Sequence, residues 1–215
     1  MTVRRGEQWG RPADPDADLV VVRTDTALTA AVVSEDPSGV AAPNGITAGV
    51  IAGDLHRTLG SPPGGTARLR SPQAWWHPID LGELTLRTDA GTTRSVWFSA
   101  HVVAVEGGRP LFAARTVVVM NAAYVGDANL GPRAHPNDGL LDVTDGRLGT
   151  WDRIRARRRM VSGTHLPHPS LHHRRVRECE VEFARPAAVT VDGVSQGWAT
   201  SLVATCHPDA ASVVA

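Results

Sequence analysis

The sequence predicts an α+β protein: a truncated α/β segment over residues 1–76, then a mostly antiparallel β domain over residues 77–215 that carries one helix. Three observations lead there. Strand and helix patterns alternate across residues 18–60, the signature of a βαβ unit. From Ile79 onward, alternating apolar runs follow one another with turn residues between them. Within that second part, only residues 150–163 have helical spacing.

Residues 1–18 are polar and proline-rich, a surface lead-in. Residues 18–23, DLVVVR, read as a short buried strand. A helix follows over residues 24–35, with Thr24 or Asp25 as N-cap and Ala27, Leu28, Ala31 and Val32 on one stripe. ITAGVI, residues 46–51, is the second strand. AGDLHRTLG then supplies Gly53 for a tight turn and Asp54 as N-cap of a helix ending at Gly60. A turn that opens a helix after such a strand is where βαβ units hold phosphates. The alternative for Gly53 and Asp54 is a turn and a cap alone, because the repeated glycines of a dinucleotide fingerprint and the Gly-Lys-Ser/Thr of a phosphate loop are both absent.

In the β domain, LGELTLRTDAGTTRSVWFSAHVVAV forms two alternating runs around Asp89-Ala90-Gly91, a hairpin. Residues 111–120 add a strand, and residues 140–144 another. TWDRIRARRRMVSG reads as an amphipathic helix with Trp151, Ile154, Arg158 and Val161 at helical spacing and Gly163 as its stop. VRECEVEFA, AAVTVDGVSQG and ATSLVATC are three further strands.

At 42% hydrophobic and 20% charged, with 21 Gly and 15 Pro, the chain has the composition of an ordinary globular protein with many turns. Its 22 basic and 22 acidic residues balance, so no global field selects nucleic acid as a partner. Every basic residue is arginine, which excludes a lysine Schiff base or a phosphate-loop lysine. Cys179 and Cys206 are too few for a disulfide framework and read as two buried thiols. With no charged-then-apolar leader and no apolar stretch near the roughly 20 residues that span a bilayer, the expected location is a bacterial-type cytoplasm, with the membrane surface left open.

The stretch VVMNAAYVGDANLGPRAHPNDGLLDV, residues 118–143, joins two apolar strands through a loop rich in Gly, Pro, Asn and Asp. Pro136 restricts the backbone before Asp138 and Gly139 frees it afterwards, so the loop can aim carbonyls and one carboxylate at a point. Hard cations prefer such an oxygen set. The alternative is an ordinary connecting loop.

These residues resemble a known family. MNAAYVG, then the P-x-A-x-x-x-DG-L-L-D-V pattern of residues 132–143, SGTH-x-x-HP at residues 162–169 and VDG at residues 191–193 are similar to the C-terminal β-sandwich half of bacterial diacylglycerol kinases and related lipid kinases. IDLG, residues 79–82, resembles the start of that half. GVIAGDLHRTLG resembles the family's strand, Gly-Thr-x-Asn-Asp turn and helix, matching at Asp54, Arg57, Leu59 and Gly60.

The resemblance implies a shortened α/β lobe over residues 1–76 and a lipid-kinase-like β-sandwich over residues 77–215. It implies Gly53 and Asp54 at the nucleotide site and a structural magnesium ion held by Asp138 with the carbonyls of His135 and Leu140. Asp192 is the implied catalytic base for deprotonating a lipid hydroxyl. Two features depart from the pattern. The upstream Gly-Gly-Asp-Gly-Thr motif that cradles ATP is absent, and Val194 stands where the family reads Glu in Asp-Gly-Glu. The implied function is a degenerate lipid kinase homologue with weak or no transfer from ATP to a diacylglycerol-like substrate. The alternatives are a non-catalytic module for anionic lipid or a protein partner, and a metal-dependent phosphatase built on the Asp138 loop. A homodimer, or a separate chain supplying a nucleotide lobe, is an open expectation.

Two other constellations stand out. His165, His168, His172 and His173 lie close together, but no carboxylate or thiolate at ligand spacing accompanies them to favour zinc; the resemblance, in which this segment is a motif after the helix, implies a structural or substrate-edge role. Arg153, Arg155, Arg157, Arg158 and Arg159, with Arg174, Arg175 and Arg177, form a cationic segment: a solvated helix face, or a surface for anionic head groups. Trp75, Trp76, Trp97 and Phe98 are expected in the core.

Overall fold

The computed structural model describes residues 9–36 and 38–215; the first eight residues of the proline-rich lead-in lie outside the described residues. The elements run β1 (Arg11–Pro12), β2 (Val20–Val22), α1 (Asp25–Val32), β3 (Val33–Glu35), β4 (Ala41–Pro43), β5 (Thr47–Val50), α2 (Asp54–Thr58) and α3 (Gly65–Leu69). The strand-rich part follows as β6 (Trp75–Arg87), β7 (Thr93–Phe98), β8 (His101–Glu106), β9 (Thr116–Met120), β10 (Tyr124–Val125), β11 (Ala128–Asn129), β12 (Leu141–Gly146), α4 (Thr150–Met160), β13 (Leu171–Val176), β14 (Glu178–Val191) and β15 (Val194–Val214).

The βαβ unit forms as the pattern predicts: β2 and β5 are parallel neighbours with α1 between them. The Thr24 hydroxyl accepts the Ala27 N–H at 3.1 Å, so Thr24 is the N-cap. The helix is shorter than expected because residues 33–35 leave it to pair antiparallel with β4. The strand at residues 20–22 is not buried as predicted. Among the described residues it pairs only with β5, and Val20 and Val21 face outward while Val22 and the α1 residues Leu28 and Val32 enter the core.

β5 also pairs in parallel with β15, which attaches the βαβ unit to one continuous sheet of order β1-β6-β15-β14-β8-β9-β12-β13, with β7 on β6. Apart from the β5 pairings, its ladders are antiparallel. The three strands expected near the end are two long ones, β14 and β15, because the breaks in pattern are register shifts inside continuous ladders. The expected strand at residues 111–120 begins only at Thr116.

The sheet curls over its own core. Val117 and Val119 of β9 point into one cluster with Leu84, Phe98, Leu141 and Val189, while Val118 and Met120 point into a second beneath α4. This two-sided burial explains the unbroken apolar run in β9. Gly82 of IDLG is required by packing: a Cβ there would lie 2.0 Å from the Phe98 ring. Phe98 is in the core as expected, whereas Trp75, Trp76 and Trp97 are only half-buried. Both thiols are free and buried.

α4 forms where expected. Ala156 and Met160 face the sheet, and Trp151, Ile154 and Val161 face solvent. The cluster under the helix is already filled by Phe112, Leu130, Leu148 and Leu171, so the smaller face suffices to close it. No helix among the described residues is long and apolar enough to cross a membrane.

Candidate functional site

The motifs converge where the βαβ unit meets the curled sheet. Asp192 lies at the β14–β15 turn with φ 46°, a left-handed conformation that aspartate tolerates. Its main chain turns near the surface while its carboxylate is buried. Oδ1 accepts the N–H groups of Ala100 at 3.0 Å and His101 at 2.8 Å. Oδ2 accepts the Ser99 N–H at 2.9 Å and the hydroxyls of Ser99 and Thr29, each at 3.3 Å. Burial pushes the Asp192 carboxyl above its usual range, and the three N–H groups pull it back. Three N–H groups, with the two hydroxyls shared between this carboxylate and the Asp25 carbonyl, make it a clamp between the β14–β15 turn and the β7–β8 junction. A general base needs a lone pair directed at substrate, and here the lone pairs are directed at the protein's own donors.

Gly53 and Asp54 lie beside this clamp, at the end of parallel strand β5. Gly53 has φ +110°, and a Cβ on it would sit 2.7 Å from Asp25 Oδ1. Asp54 is not the N-cap of α2; it occupies the first turn, and the cap comes from another helix. The Asp25 carboxylate accepts the Asp54 N–H at 2.7 Å and the Leu55 N–H at 3.0 Å. The donors that would face a phosphate are therefore occupied by a carboxylate of the same chain. Asp54 in turn accepts the Gly126 N–H at 3.0 Å through Oδ1, and its Oδ2 lies 3.5 Å from His101 Nδ1. That nitrogen has no hydrogen-bond partner, so the contact is electrostatic. Burial raises the Asp25 and Asp54 carboxyls and lowers the His101 imidazole, with Asp54 opposing the last effect. Nearby, the Arg57 guanidinium donates to the Gly126 carbonyl at 2.8 Å and stacks over Tyr124 at 4.2 Å.

One asparagine ties this cluster to the central loop. The Asn121 side-chain amide donates to the Ser99 carbonyl at 2.8 Å and to the Asp80 carbonyl at 2.9 Å. The Asp80 carboxylate accepts the Gly139 N–H at 2.7 Å and the Asp209 N–H at 2.9 Å. Burial pushes Asp80 up to about 6, helped by the Asp138 charge. IDLG, MNAA, DG and VDG are thus parts of one polar network that cross-braces the sheet.

At the far end of that network stand the residues implied as magnesium ligands. Asp138 Oδ1 accepts the Leu140 N–H at 3.1 Å, and Oδ2 is paired with the Arg175 guanidinium. The His135 ring accepts the Asn137 N–H at 3.3 Å. Arg175 is held by register, directly opposite Asp142 across the β12–β13 ladder. Its Nε lies 3.0 Å from Asp142 Oδ1, an ion pair without hydrogen-bond geometry. Burial pushes Asp142 up to about 6. Both Asp138 oxygens are engaged, and among the described residues no group of three or more His, Cys, Asp or Glu side chains could hold a metal. A divalent ion held by Asp138 and the carbonyls of His135 and Leu140 would have to displace Arg175 from the carboxylate.

The structure therefore brings Gly53, Asp54 and Asp192 together and keeps Asp138 apart, linked through Asn121 and Asp80. Reading the sequence missed Asp25, Ser99, His101, Asn121 and Arg175. A signal for Asp25 existed: in a βαβ unit the residues after parallel strands meet at one edge, so Asp25 and Gly53 belong side by side. Of the histidines, His165 is buried with neither ring nitrogen bonded, and burial lowers it to about 4. His173 approaches Asp142 at 3.6 Å.

A curled antiparallel sheet fed by a βαβ unit, with its motif carboxylates turned inward, defines the β-sandwich-like domain of the NAD kinase and diacylglycerol kinase type. The family described as the YegS C-terminal NAD kinase beta sandwich-like domain matches residues 92–215, more than half the sequence, and the chain belongs to that family. Two solved structures from Bacillus anthracis str. Sterne, each described as a "putative diacylglycerol kinase", align with TM-scores of 0.56 and 0.58 at 16% and 15% identity. The alignments cover 78% of this chain and 68% and 69% of those chains. At such identity the likeness shows the fold alone. No protein of curated function matches the sequence.

Proposed function

We propose that this chain is a diacylglycerol-kinase-like protein that keeps the lipid-kinase β domain as a binding scaffold and transfers little or no phosphoryl group from ATP. The observation that carries the reading is the Asp25 carboxylate seated on the N–H groups of Asp54 and Leu55. An incoming phosphate would meet a carboxylate where a lipid kinase needs open donors, and it would also face Asp54 and Asp192. The clamp on Asp192 and the apolar Val194 beside it support the same reading, because neither offers a free base. Arg57 is held by Gly126 and Tyr124 rather than presented to a phosphate.

Calorimetric titration with magnesium-ATP, followed by a labelled γ-phosphoryl transfer assay on diacylglycerol in mixed micelles, tests this. The expected result is no saturable ATP binding below millimolar concentration and no labelled lipid. Labelled lipid formed by the intact chain and lost in Asp54→Asn would overturn it. Asp25→Asn is the sharper variant: freeing the α2 donors of a negative charge should raise ATP affinity if the plug is what excludes phosphate.

A further inference from the structure

We infer that the outward face of α4 is a membrane-docking surface that inserts Trp151, Ile154 and Val161 into the interfacial region of an anionic bilayer. The three side chains are 77%, 46% and 62% exposed, on a helix whose other face, Ala156 and Met160, is packed on the sheet. They are not scattered. Steps of three and seven residues bring Trp151, Ile154 and Val161 onto one stripe at 3.6 residues per turn, opposite the buried pair. Arg155, Arg157 and Arg159 flank that stripe and Arg158 sits within it, all exposed, against one acid in the helix, Asp152. A folded helix that packs its small residues inward and turns tryptophan and isoleucine outward between arginines departs from the usual surface pattern. It matches an interfacial helix, in which the apolar stripe enters the head-group boundary and the arginines reach back to lipid phosphates.

Charge complementarity selects the occupant. Five arginines against one aspartate attract an anionic lipid surface, and an exposed tryptophan is suited to its interface. Just past the end of α4, at Gly163, lies a cleft of about 590 Å³ lined by Pro132, Arg133, Leu166, Pro167 and His172. On the other side, α4 contacts β11, whose hairpin partner β10 packs on α2, so a docked bilayer would lie alongside the hairpin that borders Arg57. The inference does not depend on whether the chain transfers phosphate.

The test is flotation of the intact chain with phosphatidylglycerol–phosphatidylcholine vesicles and with phosphatidylcholine vesicles, alongside tryptophan emission. Binding to the anionic vesicles, weakened by salt and accompanied by a blue shift that is lost in Trp151→Phe, is expected. Replacing Arg157, Arg158 and Arg159 by Gln should weaken binding about a hundredfold. The pair Trp151→Ser and Ile154→Ser should weaken it about tenfold with the charge intact. All these residues are exposed, and circular dichroism of each variant checks that it folds. No vesicle binding, or binding indifferent to both sets, would overturn the inference. So would loss in the arginine set alone, which is adsorption without insertion. A vesicle-free dimer abolished by the Trp151/Ile154 pair would assign the face to a second copy of the chain and also overturn it.

Discussion

Asp192 and Asp142 are both carboxylates buried in the same sheet, and they are accommodated by different chemistry. Around Asp192 the partners are main-chain N–H groups and two hydroxyls, fixed in place by the β7–β8 junction and by α1. Around Asp142 the partners are charged or titratable side chains, the Arg175 guanidinium and the His173 imidazole. The first arrangement depends on backbone geometry and serves only one carboxylate. The second depends on charge, is shared with Asp138, and is the one that pH can change. A buried acid is therefore not one kind of feature: the donors around it decide whether it braces the fold or tunes it.

The largest effect is expected at the clamp. Asp192→Ala leaves three N–H groups without an acceptor, and at about 1–3 kcal/mol for each the loss should be roughly 3–9 kcal/mol in urea denaturation. Asp192→Asn, which keeps one carbonyl oxygen, should lose about half as much. A loss in Asp192→Ala below about 1 kcal/mol would show that the clamp does not brace the junction.

Next comes the pH response of the charged arrangement. Asp80 and Asp142 titrate near about 6 in the folded chain, above an ordinary carboxylate. Between about pH 4 and 6 the folded state holds protons that the unfolded chain releases, so their contribution is complete at low pH and is lost as pH rises through about 6. His165, lowered to about 4, contributes in the opposite sense, losing its share as pH falls from about 6.5 to 4. Asp142→Asn should reduce the decline in stability between pH 4 and 7 by about 3 kcal/mol in a pH series of denaturation curves. An unchanged series would mean that Asp142 is already neutral or already ordinary.

A smaller effect is expected at Arg175. Its guanidinium is 35% exposed, so Arg175→Met should cost about 1–2 kcal/mol at pH 7.5, less than a fully buried pair. The same variant frees the Asp138 carboxylate, and magnesium should then raise its melting temperature. The unaltered chain should melt at one temperature with magnesium or with EDTA. A magnesium-dependent shift in the unaltered chain would restore His135, Asp138 and Leu140 as ligands. The smallest change is Thr24→Ala, which removes the α1 cap for about 1 kcal/mol and loosens the segment holding Thr29 and Asp25.

Much of this was legible in the sequence. The βαβ unit, the antiparallel β-rich remainder and the helix at residue 150 follow from periodicity and turn residues, which are local properties. The motif residues Gly53, Asp54 and Asp192 were also visible, and they do meet. What escaped is set by pairing between distant segments. That Asp25 caps α2 rather than its own helix depends on β2 lying beside β5. That Arg175 faces Asp142 depends on the β12–β13 register, since a shift of one residue would turn its side chain to the other face. The helical spacing of Trp151, Ile154 and Val161 was visible, but which face is buried was not. Periodicity shows that a helix has two faces, and only the volume left above the sheet decides which one is buried.

The 21 residues of β15 pair with β6, with β14 and, in parallel, with β5. β5 and β6 both precede it by more than a hundred positions in the sequence. During synthesis each of these earlier strands therefore keeps one hydrogen-bonding edge unfilled until β15 arrives. Such late, long-range closure makes for slow folding and a vulnerable intermediate. The strand that joins the two parts of the molecule thus also sets when the chain ceases to be prone to aggregation.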